Sequence, residues 1–144
     1  KQHHKQMFIR KEVAMDIHVS SKGQFANTER FLRNASSNDR YVRGVLMKYG
    51  ELGVQALREA TPKRTGKTAA SWYYTIHESK YGWSIQWMNS NIVNGENIAI
   101  LIQRGHGLKN GGYVRGRDYI KPALRPIFDD FANNAFTEVN RQNG

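Results

Sequence analysis

Gly66-Lys67-Thr68 has the residue types that close a phosphate-binding loop, in which backbone N–H groups wrap the phosphates and a lysine reaches them. The spacing defeats that chemistry. Such a loop needs a second glycine five positions upstream, where Thr61 stands. It also follows a strand and opens a helix, whereas this stretch follows a helical pattern and leads into a strand-like one. Gly105-His106-Gly107 fails as a dinucleotide fingerprint, because the third glycine would fall on Asn110 and no helical pattern starts there. Asp129 and Asp130 are adjacent, diverge by about 100° on a helix and do not converge as an acid–base pair. His77 reads as a polar-face residue, and the adjacent His3 and His4 as a tag remnant or surface filler. No Ser/His/Asp order or metal-ligand spacing links Ser71, His77, His106 and Asp118. The expectation is a protein that is not an enzyme, with no catalytic residue, cofactor or metal.

Charge is the other chemistry on offer. The 144 residues carry a formal +10, of which +3 lies in residues 61–71 and +5 in residues 104–125. In the first stretch the candidate contacts are Lys63, Arg64 and Lys67. In the second they are Arg104, His106, Lys109, Tyr113, Arg115 and Arg117, which combine cations with one ring able to stack on a base. No helix-turn-helix, zinc finger or RNA-binding aromatic motif accompanies them. Any nucleic-acid contact is therefore expected with backbone phosphate, and to weaken steeply with salt. The plain alternative is a solvated basic face with no partner. Absence of cysteine removes disulfides, thiolate zinc sites and cysteine nucleophiles, which suits an intracellular or virion protein. No apolar run approaches the roughly 20 residues that span a bilayer, and the start lacks a signal-peptide segment, so no membrane partner is expected.

These residues need elements to hold them. The first 14 residues read as a disordered extension or tag remnant ahead of Met15, residues 15–141 as a single domain, and residues 142–144 as a frayed terminus. A strand is expected over Ile17 to Ser20 and a short helix over Gln24 to Asn34. After Ser37-Asn38-Asp39, any of which suits a helix N-cap, comes a long apolar stripe: Val42, Val45, Leu46, Tyr49, Leu52, Gly53, Ala56, Leu57 and Ala60. Pro62 stops it. Ser71 to His77 and Trp83 to Met88 read as an antiparallel pair, with Trp72, Tyr74, Ile76, Trp83, Ile85 and Trp87 on the apolar face. Ile98 to Ile102 is a strand or a buried helical turn, which periodicity does not separate. The glycine-rich stretch from Gln103 to Asp118 reads as a loop that is mobile unless a partner orders it. The last helix is expected from Tyr119 or Ile120, with Asp118 as candidate cap, Pro122 in the first turn and Pro126 bending it or delaying its start. The fold class is α+β, an antiparallel sheet of about three to five strands packed against a long central helix and a C-terminal helix.

Three blocks in this order resemble the HK97 gp10-like family of tailed-phage proteins: Ala60-Thr61-Pro62 with Arg64-Thr65-Gly66 and Ala70-Ser71-Trp72; Ile98-Ala99-Ile100-Leu101-Ile102-Gln103-Arg104-Gly105-His106-Gly107; and Gly116-Arg117-Asp118-Tyr119-Ile120-Lys121-Pro122-Ala123. The resemblance runs from about Met15 to Arg141. It implies a structural virion protein of a tailed phage, a tail-completion or head–tail joining subunit of the neck. It also implies rings of identical copies, a hexamer among the options, bound to neighbouring neck or tail proteins around the path of genomic DNA. Localisation would be the phage tail or neck, and the bacterial host cytoplasm during assembly. The loop is more basic here than in the family pattern, through Lys63 and Arg64. The alternative reading is a basic module that contacts DNA backbone non-specifically.

Overall fold

The stripe that begins at Val42 folds as one continuous helix, α1 (Asp39–Ala60), in a computed structural model that describes residues 5–8, 15–20, 39–64, 66–79 and 82–135. Val42, Val45, Leu46, Tyr49 and Leu57 are buried along it, joined by Val54. Leu52, expected in the stripe, is 41% exposed. It falls at the border of the buried arc, which centres nearer Leu46 and Gly53.

Four strands form one sheet: β1 (Lys5–Phe8), β2 (Met15–Ser20), β3 (Trp72–Ser79) and β4 (Gly82–Asn89), in the order β1-β2-β4-β3 with every neighbour antiparallel. Lys5–Phe8 corrects the expectation of a wholly disordered extension, since its backbone pairs with β2. At four residues, Lys-Gln-Met-Phe, it is too short for an alternating pattern to register in the sequence. In β3 and β4 the alternation holds. Tyr74 stands opposite Trp87 and Ile76 opposite Ile85, and Trp72, Trp83, Ile85 and Trp87 are buried.

The helix meets this sheet through a notch. A methyl group at Gly53 would sit 2.4 Å from the Trp87 ring, and one at Gly50 would sit 2.4 Å from the Tyr74 ring. Trp87 Nε1 donates to the Gly50 carbonyl at 3.0 Å. Glycine inside a helix costs about 1 kcal/mol relative to alanine; here it lets two aromatic rings reach the helix backbone.

The rest of the chain covers this core. After α1 comes the short helical turn α2 (Lys67–Ala70), and after β4 a small hairpin, β5 (Ile92–Val93) and β6 (Glu96–Asn97). Then follow α3 (Ile98–Arg104), a second hairpin of β7 (Gly105–Gly107) and β8 (Tyr113–Arg115), and α4 (Ile120–Asp130), which continues into one π-helical turn, Phe131–Ala135. Helix α4 packs on α1, and the Phe131 ring meets Tyr49 edge-on at 5.3 Å. The Ile98–Ile102 ambiguity resolves as helix because the Asn97 side chain accepts from the Ala99 N–H at 3.1 Å and caps it. Pro126 lies inside α4 and neither breaks it nor delays its start. No helix among the described residues is long and apolar enough to cross a membrane. The expected helix over residues 24–34, cap candidates Ser37 and Asn38, His3, His4 and residues 142–144 lie outside the described residues.

Candidate functional site

The three sequence blocks meet in one buried knot. Thr61, 2% exposed, ends α1: its N–H and its hydroxyl both donate to the Leu57 carbonyl. The same hydroxyl accepts from Trp72 Nε1 at 2.8 Å. Tyr119, also buried, donates its hydroxyl to the Ala99 carbonyl at 2.8 Å. Burial pushes the Tyr119 phenol well above its usual pKa, while the neighbouring Thr61 hydroxyl, able to donate to the phenolate, pulls it partly back. Thr61 and Trp72 belong to the first block, Ala99 to the second and Tyr119 to the third. Their spacing therefore serves folding.

The second and third blocks also lock at their glycines. Gly105 has φ +85°, and a side chain there would meet the Gly116 nitrogen at 2.6 Å; a methyl at Gly116 would meet Arg104 and Gln103 backbone at 2.6 Å. Arg117 N–H donates to the Ile102 carbonyl at 2.9 Å. Gln103 Oε1 accepts from both the Tyr119 and Ile120 N–H groups at 2.9 Å, while Gln103 Nε2 donates to Asp118 Oδ1 at 2.7 Å. So Gln103 caps α4, and Asp118, the expected cap, instead holds Gln103 in place. Pro122 has no N–H to leave unmet at this end. The stretch read as mobile from its glycines is thus a hairpin fixed at its base, and its tip is closed by Leu108 N–H donating to Gly112 O at 2.7 Å.

The expected contact residues separate into two groups in the sequence, one before α3 and one that begins at its last residue, Arg104. Lys63, Arg64 and Lys67 are exposed, with Lys63 Nζ donating to the Glu59 carbonyl at the end of α1. Lys109, Arg115 and Arg117 are exposed on and beside the second hairpin, and Tyr113 projects its ring, 66% exposed, while its hydroxyl donates to the Arg104 carbonyl. Two candidates are less available than the sequence suggested. Arg104 faces Glu96 at 3.9 Å, a long exposed pair worth little. His106 is half-buried, and its Nδ1 is closed off with no hydrogen-bond partner among the described residues. Among the described residues Arg117 does not pair with Asp118. Nor does any group of three His, Asp or Glu there stand ready to hold a metal ion.

Sequence reasoning missed a groove of about 490 Å³ between the basic loop and α3. Pro62, Val93, Ile98 and Ile102 supply its aliphatic lining, and Arg64 and Lys67 its charge. Its wall is braced through Thr68: the Asn89 amide donates to the Thr68 carbonyl at 2.8 Å and Asn91 Nδ2 to the Thr68 hydroxyl at 2.9 Å. The threonine of the apparent phosphate-loop signature is therefore buried and occupied. Only Ile98 and Ile102, four residues apart, hinted at a shared face; the other lining residues converge through the fold. Comparison with family models, with curated proteins and with solved structures gives no match to this chain.

Proposed function

We propose that this chain is a structural virion protein of a tailed bacteriophage, a tail-completion or head–tail joining subunit. It works by assembling into rings and making contacts through its basic loops, without catalysis. The observation that carries the reading is the knot of Thr61, Trp72, Ala99 and Tyr119. The three blocks that resemble the phage family are the ones that interlock, which supports reading them as parts of one pattern set by folding. Cations outside the knot, among them Arg64, Lys109, Arg115 and Arg117, are exposed where a neighbouring subunit or an acidic neck protein would meet them.

The test replaces residues 108–112 by a two-residue Asn-Gly turn, which leaves the contact of Gly105 with Gly116 intact. The variant is expected to melt like the parent and to leave heads and tails unjoined in a phage complementation assay. Normal joining would overturn the role of the hairpin, and a monomeric native mass of the parent at assembly concentrations would overturn the ring. A second reading, non-specific contact with DNA, is favoured by the exposed Tyr113 ring among Lys109, Arg115 and Arg117. Duplex binding that is measurable at physiological salt and falls steeply as salt is raised would support it over the first.

A further inference from the structure

We infer that the groove between the basic loop and α3 receives an extended segment of a partner protein in which aliphatic side chains alternate with carboxylates. This deepens the reading above by naming the partner's chemistry, and rests on it only in taking the occupant to be a protein.

Three properties of the groove select that occupant. Its lining is aliphatic, through Pro62, Val93, Ile98 and Ile102, and contains no ring on which a nucleobase would stack. Its volume of about 490 Å³ accommodates apolar side chains. Beside it, Ile92 and Val93 of the small hairpin stand 52% and 44% exposed, an apolar lip facing water. Among the described residues the charge has one sign: Arg64 and Lys67 line the groove, no carboxylate does, and Arg64 has no ion pair. A purely apolar segment would leave that guanidinium uncompensated, and a small inorganic anion would leave the aliphatic lining wet. Finally, Asn91 lies in the wall, 7% exposed, with its Nδ2 bound to Thr68 and, among the described residues, no donor for its Oδ1. That oxygen is closed to solvent in the empty groove, so a small turn of the side chain is needed to meet a ligand. An extended peptide carries backbone N–H donors for it, whereas ionised phosphate carries acceptors.

The probes are three fluorescent decapeptide pools presented to the immobilised full-length protein. One alternates Asp or Glu with Leu, Ile, Val or Phe; a second replaces the acids by Lys or Arg; a third replaces the apolar residues by Ser. A dT oligonucleotide of ten nucleotides is run beside them. The first pool is expected to bind about tenfold better than either control pool. Arg64→Glu and Val93→Glu, both at exposed positions and checked for an unchanged melting temperature, are each expected to lower that binding about fivefold or more. Equal binding of the pools, or binding that survives both substitutions, would overturn the inference. Preferential capture of the oligonucleotide, lost in the same variants, would reassign the groove to nucleic acid. The pools contain no phage component, so this result and the joining assay can fail independently.

Discussion

At the scale of single residues, most of the chemistry in this chain is hydrogen bonding that holds backbone in place. Thr61 is the centre of it, accepting from Trp72 Nε1 while its hydroxyl donates to the end of α1. Thr61→Val keeps the shape and strands the indole N–H in a dry site, which is expected to cost about 1–3 kcal/mol in denaturant unfolding, whereas Thr61→Ser is expected to recover most of it. Tyr119 gives a pH signature. Burial raises its phenol pKa above the unfolded value near 10, so the folded state keeps the proton longer. Its contribution to stability is complete below about pH 10 and is lost as pH climbs toward the folded pKa, with a slope of up to about 1.4 kcal/mol per pH unit. Tyr119→Phe is expected to flatten the alkaline fall in melting temperature, leaving the smaller part from Tyr74, whose pKa is also raised, by burial and then by the Glu51 charge. None of these pairings was legible beforehand. Thr61 and Tyr119 are 58 positions apart, and a polar residue in a loop motif looks the same whether it meets a ligand or the protein's own interior.

Elements were more legible, because periodicity is a local record of a buried face. Helix α1 and strands β3 and β4 announced themselves through apolar residues at helical and alternating steps. Where the period fails, so does the reading. Five consecutive apolar residues from Ile98 fit helix or strand equally, and β1, with only four residues, is too short to show a period. The glycine-rich stretch looked mobile because composition does not show that Gly105 and Gly116 abut across eleven residues. Gly53 gives the sharpest test at this scale. By helix propensity Gly53→Ala would stabilise α1 by up to about 1 kcal/mol. A methyl 2.4 Å from the Trp87 ring reverses the sign, and a net loss of about 1–3 kcal/mol is expected in chemical denaturation.

For the whole molecule, charge outweighs composition as a determinant of behaviour. A formal +10 on 144 residues repels itself in the folded state, and the segments with most of the net charge, 61–71 and 104–125, keep their cations exposed. Melting temperature is therefore expected to rise as sodium chloride is raised from about 10 mM to about 150 mM, over which the screening length falls from roughly 30 Å to 8 Å. A flat or falling profile in a calorimetric scan would mean that local pairs such as Arg104 with Glu96 dominate. The basic segments themselves were legible in the sequence, but the groove beside the first was not, since its lining comes from a loop, a hairpin and a helix that meet only in the folded chain. Gln103 ties two helices together. One carboxamide oxygen receives both N–H groups at the start of α4 while its own helix lies in α3. The two helices consequently share a fate under thermal motion: opening either strips hydrogen bonds from the other, so their amides should exchange with solvent as one cooperative unit.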